Sequence, residues 1–193
     1  MPQDMVSGNQ QWFIAVVTPN TEKKCAGYLN RFFSPDTVRP YVPVQQELHF
    51  WPSIKKRKMV ERVVCPCYLF VQCTERVRKA IKSDKRCTFI LHFMKDRGRK
   101  DEFGNTLFAV IPDYQMDIFR KMVESKQEVT IEKLPLTAGT RVRIIEGDLY
   151  GAEGYLTKDA KGRTRISICI DNIGYATIEI DASKVEVIPA EES

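Results

Sequence analysis

The last third of the chain allows the fewest folds. From Thr140 onward five short runs, "RVRIIE", "EGYLTK", "RTRISICID", "YATIEI" and "KVEVI", are punctuated by Gly147, Gly151, Gly154, Gly162 and Gly174. In "RISICID" the isoleucines at 166, 168 and 170 recur at period two, which puts them on one face of a strand. β-branched residues and frequent glycine work against a helical alternative. Five close-set strands in about fifty residues with such turns predict a small closed barrel, which removes exposed sheet edges.

The preceding part has a different rhythm. "WFIAVVT" (12–18) predicts a strand ended by Pro19-Asn20. "TEKKCAGYLNRFF" (21–33) carries apolar residues at 25, 28, 29, 32 and 33, one helical face, with Glu22 and Arg31 placed to suit the dipole and Lys23, Lys24, Asn30 and Arg31 toward solvent. Residues 38–52 are extended chain broken by prolines, Ser53 to Lys58 an exposed turn, and "RKMVERVVCPCYLFVQC" (57–73) one strand. "TERVRKAIKSD" (74–84) predicts a short helix with Val77, Ala80 and Ile81 inward and Arg76, Arg78, Lys79 and Lys82 outward. "CTFILHF" (87–93) returns to strand, 95–106 is a polar loop, and Pro112 opens a third helix with Met116, Phe119 and Val123 on one side. Strands separated by helices around one core predict an α+β sandwich, a ferredoxin-like sheet with helices packed on it. "QEVTIEKLPLTAG" (127–139) has no helical or strand period and is expected to be a linker.

Charge is distributed unevenly. Residues 1–135 carry 23 basic and 15 acidic groups and residues 136–188 carry 7 and 8, so a basic part precedes a nearly neutral one. The asymmetry points to nucleic acid or an acidic partner near the first part. No apolar run approaches the roughly 18 residues of a membrane span, and the polar start "MPQDMVSGNQQ" lacks a signal-peptide core. The expected location is cytoplasmic, with no membrane association. Six cysteines in such a chain are expected to be reduced. On a continuous strand Cys65, Cys67 and Cys73 would share a face, but only a Cys-x-Cys spacing occurs, without the paired clusters of a zinc site, so no metal and no cofactor is expected. His49 and His92 sit in extended apolar contexts without a nucleophile motif, and "GDLYGAEG" precedes a strand and not a helix. The chain is expected not to be an enzyme.

Several of these stretches resemble the NusG family of transcription elongation factors. The matching residues are Trp12 in "QWFIAVVTPNTE", Tyr41-Val42-Pro43, "PCYLFV" at Pro66 to Val71, Ile111-Pro112, then "LTAGTRVRIIEGDLYGAEGYL" and "IGYATIEIDASKVEVI". The likeness spans about residues 11–188. It implies an NGN domain over 11–126 after a disordered 1–10, a linker at 127–136, a KOW domain with an SH3-like barrel at 137–188, and an acidic tail at 189–193. Cys67 stands where the general factor has Gly. With the basic stretch 95–106, this is similar to the specialised, operon-specific branch represented by RfaH and the UpxY regulators of capsular polysaccharide operons; a general NusG-like factor and a KOW-containing RNA-binding protein are the other readings.

The resemblance also implies partners. The clamp helices of the largest RNA polymerase subunit would be bound by Val16, Cys65, Pro66, Tyr68 and Phe70, with Tyr68 and Phe70 as anchors. If strand alternation runs unbroken, 66, 68 and 70 share a face and Cys65 lies on the other. Displaced non-template DNA would meet Arg31, Lys82, Lys85 and Arg86 through phosphate, with Tyr28 as the stacking residue. Lys55, Lys56, Arg57 and Lys58 are either a solvated hairpin tip or a second contact, to polymerase or upstream DNA. A ribosomal protein or a termination factor would bind the KOW domain, and the protein is expected to be a monomer that suppresses pausing or termination.

Overall fold

A computed structural model describes residues 8–53, 55–125, 127–133 and 139–189. Most of the expected disordered start, part of the linker and all but one residue of the acidic tail lie outside the described residues. The chain divides into two compact units, 1–42 with 65–113, and 43–64 with 114–193.

The first unit is built on an antiparallel sheet of β1 (Gln11–Val17), β2 (Arg39–Tyr41), β5 (Tyr68–Cys73), β6 (Ile90–Phe93) and β9 (Val110–Ile111). Its order is β2-β5-β1-β6, with β9 on the same edge of β1 as β6. Helix α1 (Glu22–Phe32) joins β1 to β2, and α2 (Glu75–Ser83) with a short 3-10 turn (Lys85–Cys87) joins β5 to β6. This is the split βαβ arrangement expected of a ferredoxin-like sheet. Alternation sorts the strands: Phe13, Ala15, Val17, Leu69, Val71 and Cys73 face a core shared with Cys25 and Leu29 of α1 and Val77 and Ile81 of α2. Arg78, expected outside, belongs to this core at 3 % exposure. Its guanidinium lies 3.4 Å from the ring centre of Phe108 and donates twice to Glu75, both at 2.7 Å, so charge and ring faces are satisfied together.

Two further expectations for this unit are corrected. The stretch 57–73 is not one strand, because Val64–Cys67 forms a turn in which Cys67 adopts φ 70°. Cys65 and Cys67 therefore share no strand face with Cys73, and alternation applies only from Tyr68. The polar stretch 95–106 pairs as a hairpin of β7 (Lys95–Lys100) and β8 (Thr106–Phe108), closed by Asp101, whose carboxylate accepts the amides of Phe103 and Asn105.

The second unit contains the hairpin of β3 (Val44–Trp51) and β4 (Lys56–Val63), helix α3 (Asp113–Glu124, entering this unit at Tyr114) and a six-stranded antiparallel sheet. Lys56, Arg57 and Lys58, expected in a turn, are the first residues of β4. The sheet runs β10-β14-β13-β12-β11-β15, from β10 (Thr130–Glu132), β11 (Thr140–Ile144), β12 (Glu153–Lys158), β13 (Thr164–Ile170), β14 (Gly174–Glu179) and β15 (Val185–Val187). Ile166, Ile168 and Ile170 are buried on one face as their period requires. The five expected strands form, and a sixth, β10, arises inside the expected linker. Three residues are too few to show a period, so pairing with β14 creates this strand.

Candidate functional site

In the first unit, strand pairing gathers one row of side chains. Val16 lies opposite Tyr68 on β5 and opposite His92 on β6, so the three share a face. Val16 and Tyr68 are half-buried and His92 is exposed. The β1/β6 register shifts between Val16 and Val17, and the extra residue, Leu91, is 53 % exposed. Such a bulge re-aims side chains at a sheet edge. Lys82 supports it, since its ammonium donates to the carbonyls of Ile90 at 3.3 Å and Leu91 at 2.8 Å.

Further along the same face Ile14 opposes Phe70, and both are wholly buried. Phe70 thus packs inside, its ring 6.3 Å from that of Tyr41, and does not reach the surface where an anchor was expected. Cys65 is buried and Pro66 is exposed at the entry to β5. The turn is held by Glu22, itself buried, whose Oε1 accepts the Cys67 amide at 2.7 Å, while the Cys67 carbonyl accepts the Val17 amide at 2.9 Å. Of the five candidate polymerase contacts, Val16, Pro66 and Tyr68 reach the surface. Leu91 and His92 join Val16 and Tyr68 there, and only the bulge, invisible in "CTFILHF", could have flagged Leu91.

The candidate nucleic-acid residues separate into roles. Tyr28 stacks on Phe32 with ring centres 6.0 Å apart and planes at 2°, and on Phe89 at 5.6 Å. Arg86 lies 4.7 Å from the centre of the Phe32 ring, and Lys24 5.8 Å from that of Tyr28. Arg86 also pairs with Asp84 at 2.6 Å, and these bonds hold the Asp84 carboxyl down at about 2. Arg31 and Lys85 are exposed. Tyr28 and Arg86 are therefore brought together through Phe32, whereas Lys82 serves the bulge. Phe32, Phe89 and Lys24 were not singled out from sequence, because apolar spacing assigns the two rings to a core.

The family model for Transcription termination factor NusG matches residues 10–120. The chain belongs to the NusG family. Members are non-enzymatic transcription elongation and antitermination factors, and the matched stretch is the NusG-like NGN part. Among solved structures, the chain is similar to NusG of Thermotoga maritima in a study of its domain interaction, with 17 % identity, a TM-score of 0.51, and coverage of 94 % of this chain and 98 % of that one. That likeness concerns the fold alone. The MjSpt4:Spt5 complex in conformation B also aligns, at 14 % identity over 94 % of this chain and 99 % of that one, but with a TM-score of 0.27. No curated protein matches the sequence.

The C-terminal sheet of this NusG-family chain engages its four arginines with its own side chains. Arg141 and Arg143 both pair with Glu153, at 2.8 and 2.7 Å, and Arg163 pairs with Asp159 at 2.7 Å and Glu179 at 3.0 Å. Arg165 donates to Thr130 at 2.8 Å. Exposed Tyr150 and the edge-on pair Tyr155 and Tyr175, ring centres 6.3 Å apart, accompany them. No helix among the described residues is long and apolar enough to cross a membrane.

Proposed function

We propose that this NusG-family protein binds the clamp helices of the largest RNA polymerase subunit through the sheet face of Val16, Tyr68, Leu91 and His92, with Pro66 beside it. The observation that carries the reading is the register that lines up Val16, Tyr68 and His92 across three strands at the surface. By bridging the two sides of the clamp the protein disfavours the open, paused enzyme and performs no chemistry. A preference of about 1.4 kcal/mol for the active conformation shifts that equilibrium tenfold. The Tyr28, Phe32, Phe89 and Arg86 cluster, with exposed Arg31 and Lys85, contacts displaced non-template DNA by stacking and phosphate pairing.

Within this reading residues 11–126 act as the NGN domain and 137–188 as a KOW barrel. The barrel recruits a ribosomal protein or a termination factor, because three of its four arginines are paired with its own carboxylates and exposed tyrosines remain. That pairing argues against RNA as its ligand. Cys67 in place of the family's Gly favours the operon-specific RfaH/UpxY type over a general factor.

The test is binding of the full chain to RNA polymerase elongation complexes, against Tyr68→Ala. Loss of a half-buried aromatic anchor is expected to weaken binding about tenfold or more, with the unfolding midpoint near that of the parent. Equal binding by a folded Tyr68→Ala protein would contradict the assignment of this face.

A further inference from the structure

The β3–β4 hairpin presents an unusual surface. Leu48, Phe50, Trp51 and Met59 are 54, 49, 43 and 58 % exposed, and among residues 48–60 there are four basic side chains and no acidic one. The pairing register sorts them. Leu48 opposes Met59 and Phe50 opposes Arg57 on one face, while His49 opposes Lys58 and Trp51 opposes Lys56 on the other. His49 and Trp51 meet edge to face at 5.3 Å. Acidic Glu47 lies nearer the base, where it pairs with Arg62 at 3.1 Å. The outer ribbon thus has apolar rings and cations on both faces, and two strands with neither face covered are marginal in water.

We propose that this ribbon inserts into a groove of duplex DNA. A polyanion is the partner its charge selects. Cations on both faces suit two phosphate walls, whereas a single strand would need only one basic side. The B-DNA major groove, about 12 Å wide and 8.5 Å deep, admits a two-stranded ribbon. The four outer residue pairs, at about 3.4 Å per residue, reach about 14 Å, enough to fill that depth. Phe50 and Trp51 near the tip contact thymine methyl groups or wedge a base step. The deep, narrow major groove of A-form RNA excludes such a ribbon. The inference does not depend on polymerase binding and is tested without it.

The experiment titrates the full chain with a 24-base-pair duplex DNA at several salt concentrations, reading anisotropy and tryptophan fluorescence. Trp12 is buried and Trp51 exposed, so quenching reports the ribbon. Lys56→Gln/Arg57→Gln/Lys58→Gln is expected to weaken binding at least tenfold and to flatten the slope of log K against log salt by about 2 to 3. Trp51→Phe should abolish quenching while the duplex still binds. Lys158→Gln/Lys161→Gln, at exposed positions outside the ribbon, should leave the duplex slope unchanged. The proposal is overturned if the triple variant binds duplex DNA like the parent, or if duplex RNA of the same sequence binds as tightly. It is equally overturned if the triple variant keeps duplex binding and instead loses polymerase core enzyme or anionic vesicles, which would make the ribbon a protein or lipid contact.

Discussion

At the scale of single residues, Cys67 holds a backbone conformation that suits glycine. Its φ of 70° costs an L-residue about 1–2 kcal/mol, and the bond from its amide to buried Glu22 holds the turn in place. Cys67→Gly relieves that strain but loosens the unfolded chain, so a net gain of about 0.5–1 kcal/mol is expected in urea unfolding. A lowered midpoint would show that the cysteine side chain contributes more than the strain removes. Glu22→Ala, which strips the amide of its acceptor, is expected to cost about 1–3 kcal/mol. Among the thiols, burial pushes Cys73 up to about 12 and Cys87 up to about 11. At pH 8 an alkylating reagent should therefore modify exposed Cys169 in the folded protein well before either. Both buried thiols keep their protons more firmly folded than unfolded. Their contribution to stability is complete below the ordinary thiol range and is lost as pH rises through it toward those values. Sequence could mark Cys67 as a departure from the family. It could not foresee that 57–73 breaks at this residue, because alternation describes a strand and carries no signal for one left-handed residue.

At the scale of elements, the short strand β10 shows what pattern reading misses. The segment before it is held by side chains rather than by periodicity. Gln45 donates to the carbonyls of Val123 at 3.0 Å and Gln127 at 2.9 Å and accepts the Val129 amide at 2.9 Å, while Arg62 donates to the Val129 carbonyl at 3.0 Å. At the other end a Cβ on Gly174, whose φ is 128°, would sit 2.3 Å from the Glu132 carbonyl oxygen. Gln45→Ala should cost about 1–3 kcal/mol and speed amide exchange over 129–132. Gly174→Ala should release β10 and give the same exchange signature. Unchanged protection in both variants would mean that β10 is held by other contacts. The longer elements were legible from apolar periodicity in α1, α2, α3 and the isoleucine strand β13, and from a β-rich run ended by Pro19-Asn20 in β1. Arg78 was misassigned because helical spacing treats arginine as a surface residue, whereas three aromatic rings and Glu75 make its burial favourable.

At the scale of the whole molecule, family membership and the ferredoxin-like strand order follow from residues spread over the first 120 positions, which is why they were readable. The surface row was readable only in part. Val16, Pro66 and Tyr68 lie in quotable motifs, but Leu91 and His92 reach the surface through a bulge, and Phe70 is withdrawn into the interior. The proposed role of this row is to let the protein hold polymerase in its active state. The most direct measurement is a single-round transcription assay on a template with a strong pause, comparing no factor, the full chain, and Tyr68→Ala checked for folding. The full chain is expected to shorten the pause severalfold and the variant to leave it near the factor-free value. A pause unchanged or lengthened by the full chain, or shortened equally by the folded variant, would contradict the account.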